Sequence, residues 1–326
     1  MPGRRCLIIS MAVVLCVAFV AFAAAGCRPA APSAVIRFGY IAADQLHSPA
    51  VMVMKEKKLL EAAGFAVEWV EYLAGVHAVQ DMSAGLLDFA ACGAVPVMIS
   101  RSQGVDLAII AGANQEGSGL VVDESIRTAK ELDGKKIAVP GFGSIQDAML
   151  IKLARDNDIR INRVVMEVSD MPTFLKEKEI DGFIAWEPHP SKALDQKAGH
   201  ELLTSRDMMS GHQCCVLATL EDTLRSDPET VDRVLGVYLD AFGWIEENRA
   251  EAIKLMAKNT GMTEEIVHRA LEGVSHSFPP YCNTESMRAM AQGLVEASRM
   301  TIKEEELDSF VDGLYRPEFL DKIFGG

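Results

Sequence analysis

From Val35 the chain alternates short apolar stretches with amphipathic ones, and the punctuation between them is regular. Residues 35–41, 65–72, 88–92 and 107–111 read as strands, 49–62 and 78–84 as helices closed by Gly64 and Gly85, and a further helix opens at Pro96. Proline just inside a helix and glycine just beyond it are where each residue suits the backbone best. A β-α-β-α-β succession joins its strands by crossovers, which implies a parallel sheet with helices on both faces.

A second unit of the same kind runs over residues 119–203, with strands at 120–123, 136–140, 164–167 and 181–186 and a helix after Ser144. The remainder reads as nearly all helical, with periodic segments at 228–248, 249–259, 264–274 and 286–300. Residues 86–96 and 179–188 invite comparison. Each has an acid opening an apolar strand (Asp88, Asp181) and a proline opening the next helix (Pro96, Pro188). Read as a repeat, they make the two units versions of one module, each presenting a strand end to a shared cleft, where open α/β sheets place ligands.

Ahead of the first strand, Arg4 and Arg5 precede an apolar run that ends Ala24-Ala25-Gly26-Cys27. A basic start, an apolar middle and small residues before a cysteine describe a lipoprotein signal over residues 1–26, with Cys27 as the lipidated residue. The rival is a single membrane-spanning helix, since the run is long enough to cross a bilayer. Small residues abutting a cysteine suit a processing enzyme and serve nothing in a span. Residues 27–34, stiffened by Pro29 and Pro32, read as a tether reaching about 20 Å at roughly 3.3 Å per residue. Removing two arginines and no acids with the signal takes the net charge from -14 to -16. Such a surface does not bind nucleic acid, although it leaves the charge inside a cleft open.

Beyond Cys27, the mature part keeps Cys92, Cys214, Cys215 and Cys282. Adjacent residues on a strand point to opposite faces, so Cys214 and Cys215 are not expected to bridge each other, whereas a link from Cys282 to either stays open. Small buried hydrophobes are the ordinary fate of such cysteines. No CxxC or helical His-x-x-x-His spacing points to a metal, and none is expected.

Four stretches together resemble the nitrate/sulfonate/taurine group of ABC-transporter substrate-binding proteins. They are residues 55–65, then Ser83-Ala84-Gly85-Leu86-Leu87-Asp88-Phe89 with Gly93-Ala94-Val95-Pro96, residues 131–139, and Ile180-Asp181-Gly182-Phe183-Ile184-Ala185-Trp186-Glu187-Pro188. The resemblance covers Val35 to the carboxyl end. It implies an α/β, type II periplasmic-binding-protein fold: two α/β lobes joined by a two-stranded hinge. Lobe I would hold residues 35–117 plus 221–326 and lobe II residues 118–220, with crossings near 118–122 and 214–220. The last helices would pack back on lobe I. It also implies a small-molecule ligand, an ABC permease with its ATPase as partners, an extracytoplasmic monomer, no cofactor and no catalysis, and the signal pattern adds the lipid anchor at Cys27.

A two-lobed binder needs loops from both lobes, so that contacts made only in the closed state shift the hinge equilibrium. In the first lobe the candidates are Gln45, His47 and Ser48, with Ser48 alternatively capping the helix that Pro49 starts. Gly75 and Val76 follow, where glycine permits close backbone approach. Cys92, Gly93 and Asn114 end the next strands, with turn chemistry as the alternative. In the second lobe, Ser144 and Gln146 open a helix whose N-terminus suits a polar or anionic group. Trp186 would form a flat wall. Glu187 beside it would repel a bare anion, and so implies a ligand with donors or a structural partner such as lysine. His212, with His47, His77 and His189, falls in cleft or loop segments. These features leave two cargoes open, a small oxyanion at Ser144 or a heteroaromatic between Trp186 and Glu187. The rivals from other classes are an enzyme like the thiamine-pyrimidine synthases, whose cysteine-rich motif is not reproduced, and a ligand-sensing lobe of a membrane receptor.

Overall fold

The computed structural model describes residues 35–325, so the signal, the tether and Cys27 lie outside the described residues. The strands are β1 (Val35–Ile41), β2 (Ala66–Tyr72), β3 (Phe89–Gly93), β4 (Leu107–Glu116), β5 (Ser118–Val122), β6 (Lys136–Val139), β7 (Asn162–Val165), β8 (Gly182–Trp186), β9 (His200–Thr204), β10 (Gln213–Leu220) and β11 (Val274–Ser275). They form two sheets, ordered β11-β4-β10-β3-β1-β2 and β7-β6-β8-β5-β9.

Leaving out the two-residue β11, the sheets have one plan. A first strand (β1 or β6) pairs in parallel with the strands on either side of it, and the third strand (β3 or β8) then meets an antiparallel one (β10 or β5). The two segments compared above are therefore equivalent, since they supply β3 and β8. The expected parallel pairing holds for β1 to β3 and β6 to β8, whereas β10 and β5, the strands beside the two passages between lobes, run against their neighbours. Residues 213–220, placed by the sequence reading at the end of the second lobe, pair with β3 and β4 in the first sheet. The chain has already returned before Gln213.

Local chemistry moves several boundaries. The helix expected over 49–62 is two pieces, Pro49–Glu56 and Leu59–Ala62, because Lys58 takes a left-handed conformation between them. The helix with Pro96 begins at Ala94. On one face of the first sheet Phe38, Phe89 and Tyr238 are fully buried, and burying each such side chain stabilises the fold by about 1.5–3 kcal/mol. Tyr238 comes from the helix Pro228–Glu247 and donates to Gly112 O at 3.0 Å, so this helix does pack on the first lobe. The helix Thr284–Glu296 reaches further. Its Met287, Met290 and Leu294 share a core with Met149 and Leu150 of the helix Ile145–Asn157, and Glu296 pairs with Arg155. Among the described residues no helix is long and apolar enough to cross a membrane.

The two passages between the sheets lie side by side. Gly117 and Gly211 both have positive φ, 96° and 70°. Buried Glu116 ties the passages together, accepting from Gly211 N and from Ser205 Oγ at 2.5 Å, with His212 Nδ1 at 3.5 Å.

Candidate functional site

Loops from both sheets meet around a small cavity of about 30 Å3, lined on one side by Ile41, Asp44, His47, Gly75, Val76, Gly93, Cys214 and Cys215 and on the other by Pro140, Ser144, Ile145, Gln146 and Trp186. A cavity of that size holds only about two or three waters, so a larger guest requires the lobes to part. Trp186 holds them together, with its indole N–H donating to Ala43 O at 3.1 Å across the cleft.

The structure brings together seven of the predicted residues: His47, Gly75, Val76, Gly93, Ser144, Gln146 and Trp186. Ser144 caps its helix, accepting from Asp147 N at 3.1 Å, and Gln146 donates to Ser118 Oγ at 2.9 Å. The helix start brings its own anion. Asp147, fully buried, accepts from Gly143 N at 2.9 Å and pairs with Arg163. An anion arriving at this terminus meets a carboxylate already there, which the sequence reading overlooked.

The other predicted residues lie apart from the cavity lining. Gln45 and Ser48 face a neighbouring groove of the first lobe with Tyr40, Lys55 and Glu71. Ser48 makes no side-chain cap, since its φ of -126° and ψ of 54° lie outside the extended conformation a capping residue adopts. Cys92 is buried behind Gly75, and burial first, then Asp44, pushes its thiol up to about 12. Asn114 props the cysteine pair, accepting from Cys215 N at 3.1 Å and donating to Glu116 O at 3.1 Å. His212 is buried at the hinge, its Nδ1 3.1 Å from Met209 O. Glu187 turns away from the cavity. Its partner is Ser191, whose N and Oγ donate at 3.2 and 3.1 Å, and among the described residues no lysine pairs with it. Its repulsion of a bare anion therefore falls away as an argument.

The acid that does face the cavity is Asp44. Burial pushes it up to about 7, partly offset by His47, while His47 rises to about 9 because its nearby acids, Asp44 foremost, outweigh the burial that disfavours its charge. Asp44 and His47 sit three apart, 3.6 Å between Oδ1 and Nδ1. Their Asp-x-x-His spacing was the sequence signal available for this contact.

Cys214 and Cys215 contradict the expectation for neighbours on a strand. The β10–β4 register shifts on both sides of Cys215, and such a bulge lets two successive side chains share a face. Their sulfurs lie 3.8 Å apart, and both residues line the cavity. Cys214 Sγ is 3.4 Å from His47 Nδ1, and Cys215 Sγ 3.5 Å from Asp44 Oδ2. Hydrogen bonding from Cys215 holds the Cys214 thiol well below its ordinary range, and the same sharing pushes Cys215 well above it. Cys92, Cys214, Cys215 and Cys282 are all free thiols.

Two groups beside the cavity respond to pH in opposite senses. Burial, then Lys192, pushes His189 down to about 4 from 6.5, so the unfolded chain binds the extra proton. Its contribution is present above pH 6.5 and lost as pH falls towards 4. Burial pushes Glu187 up to about 7 from 4.5, so its contribution is full below 4.5 and lost as pH rises through 7. The stability gap between wild type and His189→Asn should therefore shift against the wild type by roughly 3 kcal/mol between pH 7 and 4. The gap to Glu187→Gln should move the other way. Urea titrations across this range check both, and parallel curves would refute them.

The NMT1-like family model matches residues 29–260. The chain is 27% identical over 246 residues to the putative aliphatic sulfonates-binding protein of Bacillus subtilis (strain 168), covering 71% of this chain and 72% of that one. It is 22% identical over 272 residues to the taurine-binding periplasmic protein of Escherichia coli (strain K12), covering 79% and 83%. In three dimensions it is similar to the periplasmic nitrate-binding protein of Synechocystis PCC 6803, with a TM-score of 0.74, 14% identity, and coverage of 89% and 88%.

Proposed function

The chain belongs to the NMT1-like family, and from that premise we propose that it is an extracytoplasmic solute-binding protein delivering a small molecule to an ABC importer. The observation that carries this reading is a cavity walled by loops of both sheets and latched by Trp186 across the cleft. Ligand contacts available only when the lobes meet convert binding into closure, and a permease can recognise the closed form. The chain acts by binding, without catalysis or a cofactor, as a monomer. Lobe I comprises residues 35–117 and 221–326 together with β10, and lobe II the rest of 118–220.

The relatives' names point to sulfonates, taurine or nitrate. Asp147 at the helix start is already paired with Arg163, and Asp44 in the cavity stands beside His47, so the cargo we propose is a small anion or a small heteroaromatic that packs on Trp186. A thermal-shift screen of the chain from residue 28 should find a compound that, at a hundred times its Kd, adds about 2.7 kcal/mol of stability. If sulfonates, taurine, nitrate, bicarbonate, heteroaromatics and divalent metal ions all leave the melting temperature unchanged, the binding role fails.

We place the chain at the membrane through a lipid on Cys27, after removal of residues 1–26. Cys27→Ser should move it from the detergent phase to the aqueous phase on phase partitioning. An unchanged distribution would remove the anchor.

A further inference from the structure

The cavity floor is built of soft donors that no sequence spacing brings together. His47, Cys214 and Cys215 are buried, and one ligand atom from each lies within 4.8 Å of the others. For a tetrahedral ion with bonds of about 2.3 Å to sulfur and about 2.0–2.1 Å to nitrogen or oxygen, trigonometry sets two sulfurs about 3.8 Å apart and a sulfur about 3.5 Å from nitrogen or oxygen. The sulfurs of Cys214 and Cys215 are 3.8 Å apart, His47 Nδ1 is 3.4 Å from Cys214, and Asp44 Oδ2 is 3.5 Å from Cys215.

A hydrogen-bonded thiol pair has similar separations, but it leaves a defect. Asp44 Oδ1 is buried with no hydrogen-bond partner, its nearest cationic group being His47 Nδ1 at 3.6 Å, and a buried carboxylate oxygen without a donor is costly. A cation held by His47, Cys214 and Cys215 beside Asp44 offsets that cost. Thiolate and imidazole donors select zinc-like ions over magnesium or calcium.

We infer that the cleft binds a soft transition-metal ion of the zinc class through His47 Nδ1, Cys214 Sγ and Cys215 Sγ, with Asp44 as the adjoining carboxylate. The inference rests on the reading of this cleft as the ligand site, and it names the cargo's chemistry: such an ion, free or carried by a small chelator.

The test uses the chain from residue 28, reduced, stripped with a chelator and titrated with cobalt(II) alone. One equivalent should bind with a thiolate-to-cobalt charge-transfer band and the intense visible bands of a tetrahedral ion, and zinc should displace it. Asp44→Asn should weaken binding by roughly 10–100-fold. His47→Gln, Cys214→Ser and Cys215→Ser should weaken it more, while Cys282→Ser leaves it unchanged. Should the variants misfold, zinc should still protect Cys214 and Cys215 of the unaltered chain, but not Cys282, from alkylation. Absence of the charge-transfer band in the reduced wild type, or its survival at undiminished intensity in both Cys214→Ser and Cys215→Ser, overturns the site. If cobalt fails to bind while a sulfonate or heteroaromatic still raises the melting temperature, the metal site falls and the transport role stands.

Discussion

Replacing Glu116 by alanine is expected to destabilise the folded chain by about 3–5 kcal/mol, the cost of removing one partner from a buried charged network. Its carboxylate takes the Gly211 amide and the Ser205 hydroxyl and faces His212, which is raised to about 9 by Cys214 and Glu116 against the pull of burial. Without it a buried imidazolium loses its charge partner and a backbone amide its acceptor. Glu116→Gln keeps the shape and one acceptor oxygen, so it should cost less than alanine. Urea unfolding of the three proteins measures this, and an alanine variant within 1 kcal/mol of wild type contradicts the assigned role. Because Gly211 belongs to one passage and Glu116 to the other, the substitution also uncouples the two hinge segments.

Asp147→Ala is expected to cost about 2–4 kcal/mol, somewhat below a fully buried pair because Arg163 keeps 29% exposure and can reach water. Two things go at once: the acceptor for Gly143 N and the partner of Arg163. The loop so released carries Ser144, Ile145 and Gln146 into the cavity, so affinity for whichever compound stabilises the wild type should fall with it. Asp147→Asn retains the Gly143 bond and should lose less of both. Stability and affinity measured on the same preparations check the coupling, and a loss of stability with unchanged affinity would detach this loop from the ligand site.

Much of the scaffold was legible because its signals are local. Glycine and proline mark strand and helix ends within a few residues, and the likeness of residues 86–96 to 179–188 located the equivalent strands β3 and β8 before any pairing was known. The site was less legible because its decisive features depend on pairing. Whether Cys214 and Cys215 face one way or two is set by the shifted register against β4, with Asn114 holding Cys215 N. Glu187 looked like a cleft acid, yet its carboxylate is drawn to Ser191 four residues on, which only the start of the helix His189–Asp195 explains. Ser144 and Gln146 suggested a helix start open to an anionic group. The helix start is there, but Asp147 already answers it.

The indole of Trp186 has a consequence of another kind. The chain holds three tryptophans; Trp69 contacts Phe38 in the first lobe, and Trp244 lies under Lys57. Neither is on the cleft, whereas Trp186 is 5% exposed and bonded to Ala43 across it. Parting the lobes exchanges that carbonyl for water around a single indole. The protein thereby carries its own optical gauge of opening and closing: its emission should shift to the red as the cleft opens, with no dye attached.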